Sequence, residues 1–248
     1  MPGLDWLTAR PVAHRGLHDA AAGIVENTAS AIAAAIAGDY AIEVDLQVSR
    51  DGEAMVHHDD VLGRLTAGTG ALAAMSAAEL GQVPFRATAD RMLTLGALCD
   101  LVAGRVALFL ELKSRFDLDQ RLVPRVAAVL AGYAGPVAVM SFDPRLIVAL
   151  RAAAPGLPRG IVAERRYADP EWKPLTAGRR FGLAHLLHGL HTRPHFLAYR
   201  VQDLPAPGPL VARHLFGLPL LAWTVRSEAD RARARRWANQ MIFEGFRP

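Results

Sequence analysis

Eight strand-like segments alternate with helix-like ones along 248 residues. That pattern predicts an α/β chain closed into a TIM, or (β/α)8, barrel. Two further observations support closure. The length matches the ~250 residues typical of one such barrel, and a 52% apolar content is ample for a large core. His14, Asp45, Lys113, Ser141 and Trp223 all fall at or near the carboxyl ends of their strands, where barrels of this class place their sites.

Pro11 to His14 reads as the first strand and runs into His14-Arg15-Gly16. Asn27 or Thr28 can cap the helix Ala29 to Ala37, which Gly38 stops. The next strand alternates: Ala41, Glu43, Asp45 and Gln47 share one face, and Ile42, Val44, Leu46 and Val48 share the other. The apolar set must be buried, so the two carboxylates stand side by side and point away from that packing. Arg50-Asp51-Gly52 has turn chemistry and returns the chain as a second short strand toward His57-His58-Asp59. Asp60 to Arg91, rich in Gly, Thr and Ala, reads as a small insertion after the second strand. Its helix near Ser76 to Leu80 opens on a capping box of Ser76 and Glu79.

Leu95 to Ala103 is expected to be helical, and Arg105 to Lys113 a strand that repeats the earlier alternation. Val106, Leu108, Leu110 and Leu112 take one face; Ala107, Phe109, Glu111 and Lys113 take the other. A helix over Leu118 to Leu130 leads to the strand Val137 to Phe142. Asp143-Pro144 then opens the helix Arg145 to Ala153, with Pro at a permitted first-turn position. Strands follow at Arg159 to Ala163, Phe196 to Val201, Pro219 to Val225 and Gln240 to Phe243. Between them lie helices at Phe181 to Leu190, Leu210 to Leu215 and Glu228 to Trp237, the last capped by Ser227. The sequence stops at Pro248, so an eighth helix reads as missing, and the segment carrying Trp6 is the expected cover for that gap. The expected organisation is one barrel domain over residues 1–248, with residues 60–91 inserted in it.

The formal charge is +4 and the sequence pI about 9.7, carried almost wholly by Arg; the lysines are Lys113 and Lys173. A modest positive excess suits a small anionic substrate. No long basic run or aromatic-basic interleaving points to nucleic acid. Cys99 is alone in an apolar helix and reads as a core residue, so neither an internal disulfide nor a cysteine metal cluster is expected. The first residues lack the basic-then-apolar pattern of a signal peptide, and no run of eighteen apolar residues exists. The protein is therefore expected in the cytoplasm, without stable membrane insertion. Its oligomeric state is not legible.

Glu43 and Asp45 repel one another unless a proton or a cation lies between them. A hard divalent ion is the simple resolution. Glu111 and Lys113 repeat the arrangement on a second strand. His57 and His58 compete, because neighbours on a strand face opposite ways; the His-Asp order favours His58. Plainer readings stand beside these. Asp45 could lie on an exposed edge strand, bound to Arg50. His185, His188, His191 and His195 invite a zinc site, but no carboxylate or cysteine completes it. Arg231, Arg233, Arg235 and Arg236 lie beside Glu228 and Asp230 and read as a solvated face. Phe142 and Trp223 either line a substrate pocket or fill the barrel.

Eight motifs occur in order: AHRG at 13–16, ENT at 26–28, EVD at 43–45, HD at 58–59, LGRLTAGTG at 62–70, ELK at 111–113, SFDP at 141–144 and WTV at 223–225. Together they resemble the glycerophosphodiester phosphodiesterase family. The resemblance implies hydrolysis of glycerophosphodiesters to an alcohol and sn-glycerol 3-phosphate. It places Glu43, Asp45 and Glu111 as ligands of one divalent cation, Mg²⁺ or Ca²⁺, with Mn²⁺ as a third candidate. His14 and His58 fall on the general acid and base, Arg15 and Lys113 on phosphate-binding positions. Glu26 and Asn27 shape the site, and the insertion supports glycerol-side recognition. The sequence departs from the family pattern in three places. Arg226 stands where Asn is usual, and reads as an added cation at the rim. Glu244 lies near the position of an Asp, within ANQMIFEGF. The usual Pro before the second helix is replaced near Met92. Two further readings carry less of the pattern. A phospholipase D-like hydrolase of lysophospholipids on this fold needs an exposed apolar rim, and no loop has a long apolar run. A non-catalytic binder of a phosphorylated ligand should have lost a carboxylate or a histidine.

Overall fold

The computed structural model describes residues 3–169 and 172–248. Its strands are β1 (Val12–His14), β2 (Ala41–Val48), β3 (Ala54–Val56), β4 (Val61–Leu62), β5 (Gly70–Ala71), β6 (Leu108–Leu112), β7 (Val137–Ser141), β8 (Arg159–Ala163), β9 (Phe196–Arg200), β10 (Leu220–Val225) and β11 (Gln240–Phe243). The helices are α1 (Ala29–Ala37), α2 (Ala77–Gln82), α3 (Leu95–Val102), α4 (Leu122–Leu130), α5 (Pro144–Ala153), α6 (Ala177–Ala184), α7 (Gly189–Thr192), α8 (Pro207–Leu215) and α9 (Glu228–Trp237). Parallel strands run in the order β1-β11-β10-β9-β8-β7-β6-β2, and β1 pairs with β2 to close the ring. This is the eight-stranded TIM barrel that the alternation predicts. β3 returns antiparallel on the end of β2.

The alternation sorts side chains into two apolar layers. Val12, Phe109, Met140, Phe196, Leu221 and Ile242 fill the barrel interior. Ile42, Val44, Leu108, Leu110, Val139 and Ile161 point outward and pack under the helices. Removing each such side chain from water contributes about 1.5–3 kcal/mol. Residues 60–91 form the β4–β5 hairpin and α2, over a separate cluster of Met55, Leu62, Leu72, Leu80, Phe85 and Met92. The Ser76–Glu79 capping box is present.

Several element bounds differ from expectation for local reasons. The helix expected from Leu118 starts at Leu122, because Phe116 (φ 58°) and Leu118 (φ 73°) take left-handed backbone. The segment Phe181 to Leu190 is divided between α6 and α7, with Leu186 left-handed at φ 56°. α8 begins at Pro207, whose ring presets a first-turn φ.

The role expected of Trp6 is corrected. Its ring lies 5.8 Å from that of Phe109, and Leu7 joins the interior cluster, so this segment closes the amino-terminal mouth of the barrel. Phe109 points inward, which puts Trp6 under the barrel rather than on its flank. No helix follows β11 among the described residues; Tyr40 and Phe246 pack on Phe243 there, at 5.1 and 5.5 Å between ring centres. Among the described residues no helix is long and apolar enough to cross a membrane.

Candidate active site

Strand register assembles the site. β1 pairs with β2 so that His14 lies beside Glu43, and β2 pairs with β6 so that Asp45 lies beside Glu111. Inward-facing parity turns all three carboxylates toward the carboxyl mouth of the barrel. One oxygen from each lies within 4.8 Å of the others, and all three residues are buried. The arrangement read from alternation on two strands is therefore the arrangement that forms.

The surroundings of the carboxylates are unequal. Asp45 Oδ2 accepts from Asn27 Nδ2 at 2.9 Å and lies 3.3 Å from Arg15 Nε, while Asp45 N donates back to Asn27 Oδ1 at 3.3 Å. Lys113 Nζ donates to Glu111 Oε1 at 3.1 Å and lies 3.5 Å from Asp45 Oδ1. Glu43 Oε2 accepts from Arg15 N at 3.0 Å, and its buried Oε1 has no partner. Burial pushes the Glu43 carboxyl well above the usual carboxylate range, and the neighbouring Asp45 and Glu111 add to it. Burial acts the same way on Asp45, but Lys113 and Arg15 hold it well below that range. Lys113 is half-buried and desolvation works against its charge, yet Glu111 and Asp45 hold its ammonium more firmly protonated than usual. Three hard oxygen donors, one of them orphaned, fit a hard divalent cation.

Arg15 reaches this position through a left-handed backbone (φ 57°) followed by Gly16 at φ 79°. A Cβ on Gly16 would meet Ala31 at 2.9 Å, so the turn against α1 admits only glycine. Arg15 Nη1 also donates to Glu26 Oε1 at 2.7 Å. Arg64, from the insertion, donates to both Glu26 and Asp59. Burial works against it, but Arg64 and Arg15 draw the Glu26 carboxyl down to about 2.

Both histidines are fixed from behind by carboxylates. His14 Nδ1 donates to Glu244 Oε2 at 2.6 Å, and His58 Nδ1 donates to Asp59 Oδ1 at 2.8 Å. A carboxylate only accepts, so each ring carries its proton on Nδ1 and leaves Nε2 for another partner. His14 Nε2 lies 3.9 Å from Glu43 Oε2. Burial lowers the His14 imidazolium below its ordinary range against the pull of Glu244. His57 faces the other way, as strand parity requires: it is 1% exposed, with its ring 6.3 Å from that of Phe85.

A cavity of about 950 Å³ joins these groups to an aromatic wall. His14, Arg15, His58 and Lys113 line one end; Phe142, Trp172 and Trp223 line another part. Phe142 meets Trp172 and Trp223 at ring-centre distances of 4.9 and 5.4 Å. Glu26 and Asn27 are not among the lining residues. Their place is behind the lining, where Glu26 orients Arg15 and Asn27 orients Asp45. Asn27→Ala would strip Asp45 of two hydrogen bonds in a buried place. The expected cost is about 1–3 kcal/mol in urea unfolding; a loss below about 0.5 kcal/mol would deny Asn27 that role.

The plainer readings fall elsewhere. Arg50 pairs with Glu79 at 2.9 Å, not with Asp45. The His185 ring lies 4.2 Å from that of Phe181, and His195 Nδ1 accepts from Arg159 N at 3.1 Å. Residue patterns gave no role to Glu244, Asp59, Arg64 or Trp172. In sequence Glu244 stands out by its place immediately after the last strand and near the family's Asp position, neither of which ties it to His14.

Fold and site together define a (β/α)8-barrel protein of the kind that gathers charged groups at its carboxyl mouth, here with a carboxylate triad able to hold a metal ion. The model of the Glycerophosphoryl diester phosphodiesterase family matches residues 14–246, and the chain belongs to that family. It is 32% identical over 171 residues to the Mycobacterium tuberculosis protein named Probable glycerophosphodiester phosphodiesterase 1; the match covers 59% of this chain and 61% of that relative's length. Among solved structures, an Oleispira antarctica phosphodiesterase in complex with the product sn-glycerol-3-phosphate superposes with a TM-score of 0.78 at 21% identity, over 96% of this chain and 93% of the other. A Thermotoga maritima glycerophosphodiester phosphodiesterase superposes with a TM-score of 0.70 at 22% identity, over 94% of each chain. These two likenesses establish the shared fold.

Proposed function

We propose that this chain hydrolyses glycerophosphodiesters to an alcohol and sn-glycerol 3-phosphate, with one bound divalent cation. The observation that carries the reading is the convergence of Glu43, Asp45 and Glu111 with Arg15 and Lys113, flanked by two carboxylate-anchored histidines. Family membership supports it, as does the product bound by the Oleispira antarctica relative.

The chemistry follows from charge. A phosphodiester is an anion, and its transition state gathers more negative charge on oxygen. Arg15 and Lys113 neutralise that charge from fixed positions in a site partly withdrawn from water. A cation held by Glu43, Asp45 and Glu111 adds Lewis-acid polarisation of a phosphoryl oxygen. His14 and His58 each present a free Nε2. One, singly protonated on Nδ1, accepts a proton at Nε2 from the attacking hydroxyl; the other acts in its doubly protonated form and donates its Nε2 proton to the leaving alkoxide. Phe142 and Trp223 offer apolar surface to the carbon skeleton.

The test is a panel of glycerophosphodiesters with choline, ethanolamine, glycerol and inositol head groups, assayed with Mg²⁺, Ca²⁺ or Mn²⁺. The expected result is a free alcohol and sn-glycerol 3-phosphate, lost with EDTA and restored by one or more of the ions. No phosphate-ester product under any ion would overturn the reading. Turnover indifferent to EDTA would remove the cation from it.

A further inference from the structure

The last two barrel strands deliver a pair of charged side chains to His14. Phe243 of β11 pairs with Ala13 of β1 on one side and with Val225 of β10 on the other. One residue further along each strand stand His14, Glu244 and Arg226, now side by side at the mouth. Glu244 N donates to Val225 O at 3.1 Å, which continues the ladder. Both carboxylate oxygens of Glu244 are engaged. Oε2 accepts from His14 Nδ1 at 2.6 Å, and Oε1 accepts from Arg226 Nε at 2.5 Å. His18 Nε2 lies 3.8 Å from Oε2, too far for a direct bond. Arg226 and Glu244 are two of the places where the sequence departs from the family pattern, and here the departures meet in one contact. Arg226 does stand at the rim of the cavity, and its Nε is spent on Glu244.

We propose that Glu244 is the positioning residue of His14, and that Arg226 acts through Glu244 by holding its second oxygen. A glutamate side chain has one more rotatable bond than an aspartate, so a clamp on the far oxygen restricts its rotamers. The clamped carboxylate accepts a hydrogen bond from Nδ1–H and thereby leaves Nε2 as the atom that exchanges a proton with substrate. The kinetic part of this inference rests on the phosphodiesterase reading; the tautomer of His14 does not.

The side-chain inventory gives a test that a merely structural contact would not pass. Both neighbours of Glu244 donate hydrogen bonds, and an amide at that position has a single acceptor oxygen. In Glu244→Gln the charged Arg226 should win that oxygen and turn the amide NH₂ toward His14, forcing the ring into the Nε2–H tautomer. The expected kinetic result is a loss of kcat of about 10- to 100-fold with KM changed by less than about twofold. Arg226→Ala alone should cost kcat about three- to tenfold, again with little change in KM. The double variant E244Q/R226A should recover several-fold over E244Q, because the oxygen can now face His14. ¹⁵N-histidine NMR, with the His14 signals assigned by their loss in His14→Ala, should show Nδ1–H in the wild type and in the double variant, and Nε2–H in E244Q.

A double variant slower than E244Q would overturn the proposal, as would an unchanged His14 tautomer in E244Q. So would R226A acting on KM alone, which would put Arg226 on the substrate. If E244Q fails the thermal-unfolding control, R226A and its KM-against-kcat split carry the decision. A wild type without phosphodiesterase activity would end the functional reading, and the NMR arm would still decide the role of Glu244.

Discussion

Asp45→Asn is expected to lower kcat/KM about a thousandfold. Under the proposed function, stabilisation of the wild-type protein by a divalent ion is expected as well, and its loss in this variant. Asp45 is 1% exposed and stands at the centre of the cluster, within 3.5 Å of Lys113, 3.3 Å of Arg15 and 2.9 Å of the Asn27 amide. The substitution keeps the shape and removes the charge. Arg15 and Lys113 then retain Glu26 and Glu111 but lose the carboxylate between them, and two half-buried cations without a shared partner repel. The Asn27 amide would also face another amide where it now meets a carboxylate. A misplaced Arg15 or Lys113 loses its value for transition-state charge, and the cation site drops from three carboxylates to two. The measurement is kcat/KM together with melting temperature, each with and without Mg²⁺, Ca²⁺ or Mn²⁺. A variant within tenfold of the wild type, or one still stabilised to the same extent by an ion, would remove Asp45 from the centre of the site.

The residue pattern carried the fold through the alternation of strands and helices, and the acidic face of the site through strand parity. Once Ile42, Val44 and Leu46 must be buried outward, Glu43 and Asp45 must point inward, and the same holds for Glu111 beneath Leu110 and Leu112. Parity within a strand does not give register between strands. Nothing in residues 12–14 alone says that His14 comes level with Glu43, or that Glu244 comes level with His14 from the other side. Asn27 illustrates a second gap. It reads as a helix cap, yet it sits at φ 58° with its amide spent on Asp45, a contact across 18 residues that the pairing of β1 with β2 creates. The bounds around α4 and α6 differ from expectation because Phe116, Leu118 and Leu186, none of a residue type that favours it, occupy left-handed backbone. Trp6 was misplaced for the same kind of reason: hydrophobicity says that it is covered, not by which layer.

The two histidines should separate when the leaving group is changed. His14→Ala and His58→Ala are each expected to lower kcat about 10²- to 10⁴-fold on a glycerophosphodiester with an alkyl leaving group. An alkoxide cannot depart without a proton, so loss of the acid is costly there. A p-nitrophenyl ester departs as a stable phenolate and needs no acid. The variant that lacks the acid should therefore regain most of its rate on that ester, and the variant that lacks the base should not. The environments make the two roles distinguishable. His14 is the deeper ring, its imidazolium disfavoured by burial, with Nε2 3.9 Å from a carboxylate of the triad. His58 stands against Asp59, whose other oxygen accepts from Arg64 of the insertion at 2.6 Å, while its own carbonyl accepts from Gln47 of β2 at 2.8 Å. Equal losses on both esters would mean that neither histidine protonates the leaving group. A wild-type rate in either variant would mean that the pair does not share the proton transfers at all.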